Sequence, residues 1–389
     1  MQYVMKSEIN YAAVAPDRDS SEPLHIQLYQ AMVREIRALP PNRRAVLLSE
    51  RELALQLKLS RRTTHRAYEQ LLEERLVRRR ADKSLEVRSD ARSRLAGAYP
   101  VIGVLLAMEF SKLVELQEFR VLPYLEGLIG CCSRRNISCI MLRAPDPEAS
   151  EAEIETFAAT HFPRLCGVIH LGGLSLASAQ DPVLERLLQH TEIPQVCVSG
   201  SVPCAHVGSV YADPSAGLDE MCRTLKARGF RRAGVIGMEF LPRLFHYVAV
   251  DRCRAMLDAL RRNGLECSGE LLIGDGGDDE AIVRLLKSPA RPEVLLCHND
   301  QVARSVLRLA RECGLSVPGD LALAGYDCRP GDPFLASIRT DPRTTAAEAV
   351  DMAMDHFENG ITEKNRVKAL PTLFSDGESL NPRGGSPAA

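Results

Sequence analysis

The sequence predicts an α/β protein with a small winged helix-turn-helix unit at its N-terminal end and a body of doubly wound parallel sheet. Three observations predict it. The first hundred residues carry short helical periods and no long apolar run. From Pro100 onward, apolar β-prone runs alternate with amphipathic segments of 3.6 periodicity. Charge is split along the chain: residues 1–95 hold 19 Lys and Arg against 13 Asp and Glu, although the whole chain has a net charge of −2. A cationic head on an acidic body suits an end that meets a polyanion.

Composition narrows the field. The 389 residues are 45% apolar and 26% charged, enough for two or three domains with real cores. No apolar run approaches the ~18–20 residues of a membrane span, and the start lacks a secretory apolar stretch. The twelve cysteines stand at or beyond Cys131, mostly single within apolar segments and never as C-x-x-C. They read as reduced core thiols of a cytoplasmic protein, with no disulfide framework.

In chain order, residues 1–20 have no period and are expected to form a flexible tail. Residues 21–90 read as the DNA-binding unit. Leu24, Leu28, Met32 and Ile36 set a first helix over about 23–38. Ser49 and Glu52 form a capping box that opens a second helix. After the turn Lys58-Leu59, Ser60 caps a third, basic helix through about residue 74. Its first half presents Arg61, Arg62, Thr63, Thr64, His65 and Arg66, residue types that reach base edges and phosphates. Residues 76–80 and 85–89 fit two strands around Ala81-Asp82-Lys83-Ser84, a basic wing with Arg79 and Lys83. A run such as Arg78-Arg79-Arg80 also reads as a solvated face. Residues 91–99 are polar and small, as in a linker.

The body, residues 100–378, offers strands at 101–107, 138–142, 166–171, 194–198, 207–211, 233–237, 293–297 and 321–325. About eight such units fit one large doubly wound sheet or two smaller ones. Residues 379–389 are expected to be a disordered tail. Ligands of doubly wound folds sit beyond the carboxyl ends of the strands. Those positions carry Glu109 and Phe110, Gly172 and Gly173, Asp213, Glu239 and Phe240, His298-Asn299-Asp300, and Tyr326-Asp327. Asp251 and Arg252 open a nearby helix. Amide, carboxylates and arginine together suit a polyhydroxylated ligand. Asp300 and Asp213 read foremost as helix caps; Asn299, Arg252 and Asp327 read as ligand contacts. The acidic stretch Gly274–Glu280 lacks calcium-loop spacing and reads as a turn in which Asp278 caps the next helix. No metal site, cofactor motif or catalytic constellation is expected.

Two resemblances sharpen this reading. Ser49-Glu50-Arg51-Glu52-Leu53-Ala54 followed by Ser60-Arg61-Arg62-Thr63-Thr64-His65-Arg66-Ala67 resembles the winged-helix head of GntR regulators. That implies DNA contacts by Arg51, Ser60, Arg61, Arg62, Thr63, Thr64 and Arg66, with Arg79 and Lys83 on the wing. The usual wing-tip glycine is absent, and Leu47-Leu48 stands in place of Leu-Pro. Asn299-Asp300, Val317-Pro318-Gly319-Asp320 and Gly325-Tyr326-Asp327 are similar to the effector domain of LacI/GalR regulators, itself periplasmic-binding-protein-like. That resemblance implies two subdomains with the effector between them, held by Arg252, Asn299 and Asp327, with Glu109 and Phe110 on the first loop. The combination resembles the arabinose-repressor branch of the GntR regulators. It implies a cytoplasmic homodimeric repressor that binds a pseudo-palindromic double-stranded DNA operator, answers to a small polar effector such as a carbohydrate, is not an enzyme and touches no membrane. A DNA-tethered enzyme and a ligand-independent DNA-binding scaffold are the alternatives.

Overall fold

A computed structural model describes residues 9–39, 45–80, 82–88, 91–95, 100–106, 121–146, 148–171, 182–198, 204–238, 248–273, 278–328 and 333–381. Its head is built from α1 (Leu24–Ala38), α2 (Glu50–Gln56) and α3 (Arg61–Glu73). A hairpin of β1 (Val77–Arg79) and β2 (Leu85–Val87) follows, paired Val77 to Val87 and Arg79 to Leu85. Leu28, Met32, Ile36, Leu53, Tyr68, Leu71, Leu76 and Val87 form its core.

Three boundary expectations need correction. Residues 1–8 lie outside the described residues, but Ile9, Tyr11 and Val14 are buried in the head core, so the segment 9–14 is no tail. Arg18 extends the same fixation by donating to the Lys58 carbonyl at 2.6 Å, in the turn between α2 and α3. The expected linker begins with a short helix, α4 (Ala91–Leu95), whose Ala91 joins the same core. At the far end, Ser379 and Leu380 are fully buried, and the Ser379 hydroxyl donates to the Leu323 carbonyl at 2.6 Å. The body therefore runs beyond residue 378; residues 382–389 lie outside the described ones.

The body contains two six-stranded sheets. The first comprises β3 (Val101–Leu106), β4 (Ser138–Arg143), β5 (Gly167–His170), β6 (Gln195–Val198), β7 (Val207–Asp213) and β13 (Val367–Pro371). Its order is β13-β7-β6-β5-β3-β4, all parallel. The second comprises β8 (Arg232–Met238), β9 (Glu266–Ile273), β10 (Val294–Cys297), β11 (Ala322–Asp327), β12 (Ala336–Arg339) and β14 (Leu373–Ser375). Its order is β14-β12-β11-β10-β8-β9, with β14 antiparallel. Central strands such as β5 and β10 are buried at every residue, which explains their continuous apolar runs. All eight expected strands are found. The four others, β9, β12, β13 and β14, are short or lie at or beside a sheet edge.

Helices α5 (Val121–Arg134), α6 (Glu151–His161), α7 (Pro182–Leu187), α8 (Ser215–Ala227), α9 (Val248–Arg262), α10 (Asp279–Lys287) and α11 (Asp300–Glu312) cover the sheets, and α12 (Pro342–Asn359) follows β12. Asp278 caps α10 through Ala281 N, as its sequence position predicts. The chain passes between the two sheets three times: after Asp213, after Arg339 and after Pro371. Thr372, at the third passage, gives both its backbone N–H (3.1 Å) and its hydroxyl (2.9 Å) to the Asp213 carbonyl at the first. Gly217 packs beside this tie; a Cβ there would stand 2.8 Å from the Thr372 hydroxyl oxygen. All twelve cysteines are free thiols and most are buried.

One histidine sits deep in the first sheet. His170 Nε2 lies 2.8 Å from Oε1 of Gln195, whose amide donates to the carbonyls of Leu187 and His190. Burial pushes His170 down to about 4. An unfolded histidine takes a proton below about 6.5, so between that pH and about 4 the unfolded chain binds the extra proton. Stability conferred by neutral His170 is complete above pH 6.5 and is lost as pH falls through this window. Urea titrations should show this slope, at most about 1.4 kcal/mol per pH unit from this group, and His170→Gln should remove its share.

Candidate functional site

Two candidate sites stand out, one on the head and one at the carboxyl ends of the second sheet's strands. In the head, the capping box forms as the sequence predicts: Ser49 Oγ accepts from Glu52 N at 3.3 Å and Glu52 Oε2 accepts from Ser49 N at 2.9 Å. Lys58 then turns the chain with φ 52°, in the left-handed region. Ser60 Oγ caps α3 through Thr63 N at 3.1 Å. Leu53 from α2 packs with Ala67, Tyr68 and Leu71 from α3, and the Tyr68 hydroxyl donates to the Leu48 carbonyl at 2.9 Å. This packing turns Arg51, Ser60, Arg61, Arg62, His65 and Arg66 outward to solvent. Arg62 and Arg66 make no ion pair among the described residues. Arg61 lies 3.9 Å from Glu50, whose carboxylate also meets His65 at 3.1 Å.

Thr64 requires correction. It is fully buried, and its hydroxyl donates toward the Glu50 carbonyl (3.1 Å) and the Arg61 carbonyl (3.0 Å). It clamps α3 to α2 and cannot touch DNA. Thr63 is half-buried and shares a 2.8 Å hydrogen bond with Ser60, so its first role is in the cap. On the hairpin, Arg79 reaches Glu69 of α3 at 3.4 Å. Lys83 is exposed with φ 65°, taking the left-handed turn position that a glycine would favour. Ala81 lies outside the described residues.

In the body, each sheet has the order 2-1-3-4-5 across its first five strands, which reverses between first and third. Such a reversal opens a crevice at the carboxyl ends of the strands. In the second sheet it falls between β8 and β10, and His298 and Asn299 follow β10 directly. Arg252 from α9 crosses to this place. Its Nη2 lies 2.8 Å from Asp327 Oδ1, its Nη1 donates to the His298 carbonyl at 3.4 Å, and its guanidinium sits 4.0 Å over the Tyr326 ring. Both partners are largely covered, 13% and 16% exposed. Burial opposes the arginine's charge, but Asp327 and Tyr326 outweigh it and hold its pKa above the ordinary value. Burial first, then the carboxylates of Asp327 and Asp213, push the Tyr326 hydroxyl up to about 12 against the pull of Arg252. Asp213 ends β7 of the first sheet, and Tyr124 of α5 also acts electrostatically on Arg252. Charged and polar groups of the first-sheet subdomain therefore act electrostatically on the Arg252–Tyr326 pair.

The expected roles of Asn299 and Asp300 are exchanged in one respect. Asn299 is the cap: its Oδ1 accepts from Val302 N at 2.8 Å, so the donor of its side chain is the amide nitrogen. Asp300 does not cap. Its Oδ1 accepts the Ser337 hydroxyl at 2.7 Å, and the same hydroxyl oxygen accepts from Cys328 N at 3.0 Å. This chain holds the end of β11, where Asp327 and the following Cys328 both have positive φ, 96° and 51°. Such backbone is costly for residues with side chains and persists where its surroundings hold it. Gly325 makes room, since a Cβ there would lie 2.2 Å from Asp300 Oδ1. Asp213, expected as a helix cap, is not one: Pro214 stands at the N-cap of α8 with no side-chain cap, and the Asp213 carboxylate instead accepts from Ser215 N at 2.9 Å, a local turn, while its charge also acts on Tyr326. Glu109, Phe110, Gly172, Gly173, Glu239, Phe240 and the Asp251 side chain lie outside the described residues. Sequence reasoning missed the Asp300–Ser337 link and the roles of Tyr124 and Thr372; nothing local marks them.

The body is similar to known proteins. The profile of the periplasmic binding protein-like domain matches residues 222–380. The HTH-type transcriptional repressor CytR of Escherichia coli (strain K12) is 29% identical over 198 residues, 48% of this chain and 57% of its own. The repressor PurR of Escherichia coli O139:H28 is 26% identical over 203 residues, 50% of this chain and 58% of its own. The chain thus spans less than two thirds of the curated relatives it matches. The lac repressor dimer bound to operator and the anti-inducer ONPF superposes with TM-score 0.57 at 18% identity, over 75% of this chain and 98% of that one. A LacI transcriptional regulator from a Rhodococcus species gives 0.53 at 22% identity, over 72% and 99%. The body has the two-subdomain fold of these proteins.

The buried pair at the centre of the cleft is directly testable. Asp327→Ala leaves Arg252 charged and unmatched, and should cost about 3 kcal/mol in urea unfolding. Adding Arg252→Met should recover most of that loss, because the orphaned charge leaves with its partner.

Proposed function

We propose that this chain is a ligand-responsive transcriptional repressor whose operator affinity is set by a small polar effector held between the two subdomains. The observation that carries the reading is the union, in one chain, of an outward cationic helix on a capped helix-turn-helix and a body whose cleft is built around Arg252, Tyr326 and Asp327. The head reads as a GntR-type winged helix. Its support is the Ser49–Ala54 motif, the Ser60 cap and the hairpin after α3. The body reads as LacI/GalR-type, supported by the domain match and the similar repressors.

In this reading α3 enters a major groove, with Arg61, Arg62 and Arg66 toward base edges and phosphates, Arg51 and Ser60 beside them, and Arg79 and Lys83 along the backbone. Two heads related by a two-fold axis read a pseudo-palindrome. The self-association surface is the side where both sheets end, at edge strands β4 and β9. Ile140, Met141 and Leu272 are exposed there, and Leu122 and Ile129 are exposed on α5. The effector class is carbohydrate or a similarly hydroxylated molecule. Asp327 accepts, Arg252 and the Asn299 amide donate, and two faces of a cleft can close on it. No helix among the described residues is long and apolar enough to cross a membrane; the reading is of a cytoplasmic, non-enzymatic regulator.

Two measurements test the reading. Arg62→Ala and Arg66→Ala should each weaken binding to the operator and, where the lost contact is to phosphate, reduce the slope of log affinity against log salt by about one unit. Unchanged affinity and slope in both variants would remove α3 from the interface. A melting-temperature screen with monosaccharides and nucleosides should find a ligand adding about 2.7 kcal/mol at a hundred times its Kd. Asn299→Ala should lose that shift while keeping DNA binding; a screen in which no hydroxylated molecule shifts the melt would discard the cleft assignment.

A further inference from the structure

The base of the hairpin touches the body. Arg78, on β1, gives its Nε to the Glu86 carboxylate at 2.7 Å and its Nη1 to Asn359 Oδ1 at 2.6 Å. Arg88, just past β2, reaches Glu358 Oε1 at 3.0 Å. Glu358 and Asn359 are the last two residues of α12. A helix ends in unsatisfied carbonyls with partial negative charge, and Glu358 adds a full one. Two guanidinium groups on one hairpin match that end. They are no loose surface pairs: Arg78 and Arg88 are 24% and 18% exposed, and the nearly buried Glu86 holds Arg78 in place. Glu86 thus acts as a positioning residue, leaving Nη1 of Arg78 aimed at the body.

The other end of α12 starts beside the second passage between the sheets, directly after β12. There Arg343 gives its Nε to Glu126 of α5 at 2.7 Å. Gly127 lets the two helices close until a Cβ would stand 2.1 Å from the Arg343 carbonyl oxygen. Further along, Gly167 of β5 opens toward Ala353, and Gly208 of β7 toward Met352 and His356. Close-packed contacts of this kind along both flanks fix α12 to the first sheet and let it transmit displacement.

We infer that the C-terminal end of α12 is the docking site of the head's hairpin, so that head and first-sheet subdomain move as one body. Rotation of the two subdomains about the Asp213–Thr372 crossing then turns the head. For its consequence at DNA the inference rests on the proposed repressor reading; the docking itself does not.

The test is small-angle X-ray scattering on the full chain without DNA or effector. Glu358→Arg and Arg88→Glu should each enlarge the radius of gyration and lose the head-to-body peak of the distance distribution, and the double exchange should restore both. Glu358→Arg lies outside the head core, so it separates undocking from a head that fails to fold; circular dichroism and melting of this variant should match the parent. Arg62→Ala serves as the counter-case, because it should impair DNA binding and leave the scattering unchanged. Scattering of Glu358→Arg identical to the parent overturns the docking, as does a double exchange that stays expanded. Because scattering alone decides the docking, its failure stays distinct from failure of the repressor reading, which DNA binding decides.

Discussion

A charge taken out of water has to be matched, and the cleft is organised by that constraint. The Arg252 guanidinium is held by Asp327 on one side and the Tyr326 ring on the other. To present Asp327, the chain after β11 takes two consecutive residues through positive φ. That backbone is kept by Ser337, which joins Cys328 to Asp300, and Asp300 in turn requires the glycine at 325. The ion pair is therefore the visible end of a network reaching from α9 through β11 and β12 to the start of α11.

A similarly small set of contacts joins the two sheets. The chain crosses three times, and the Asp213 carbonyl receives both donors of Thr372, so two of the crossings are tied to each other. The negative charge of Asp213, at the end of β7 in the first sheet, also acts on Tyr326 of the second. A ligand that bridges the two subdomains biases any movement between them.

The head follows different physics. Its outer face is made by what it excludes: Thr64 is drawn inward to clamp α2, and Ser60 and Thr63 are taken up in the cap, so the arginines are what the first turns of α3 turn outward. Glu86 sorts the hairpin arginines in the same way, holding Arg78 toward the body and drawing Arg80 at 3.6 Å. A basic run that looks uniform in sequence is divided by one buried carboxylate into residues with different duties.

Much of this was legible from the chain because it is local. Capping at Ser49, Ser60 and Asp278 depends on residues three positions apart, and the continuous apolar runs of the central strands report burial on both faces. The strand-end residues Asn299 and Asp327 were singled out from the chain, and the structure brings Arg252 to Asp327. Tertiary structure alone decided the rest. Whether Asn299 or its neighbour Asp300 caps α11 depends on Ser337, 37 residues away from Asp300. Ile9, Tyr11 and Val14 carry no period, since their burial comes from an irregular segment laid on helices that follow it. The edge strands β9 and β14 are paired on one side only, so no apolar pattern marks them. The docking of the hairpin on α12 joins residues 281 positions apart. Local hydrogen bonding writes itself into neighbouring residues; matching a buried charge across sheets does not, because the partner is chosen by the packing of everything between.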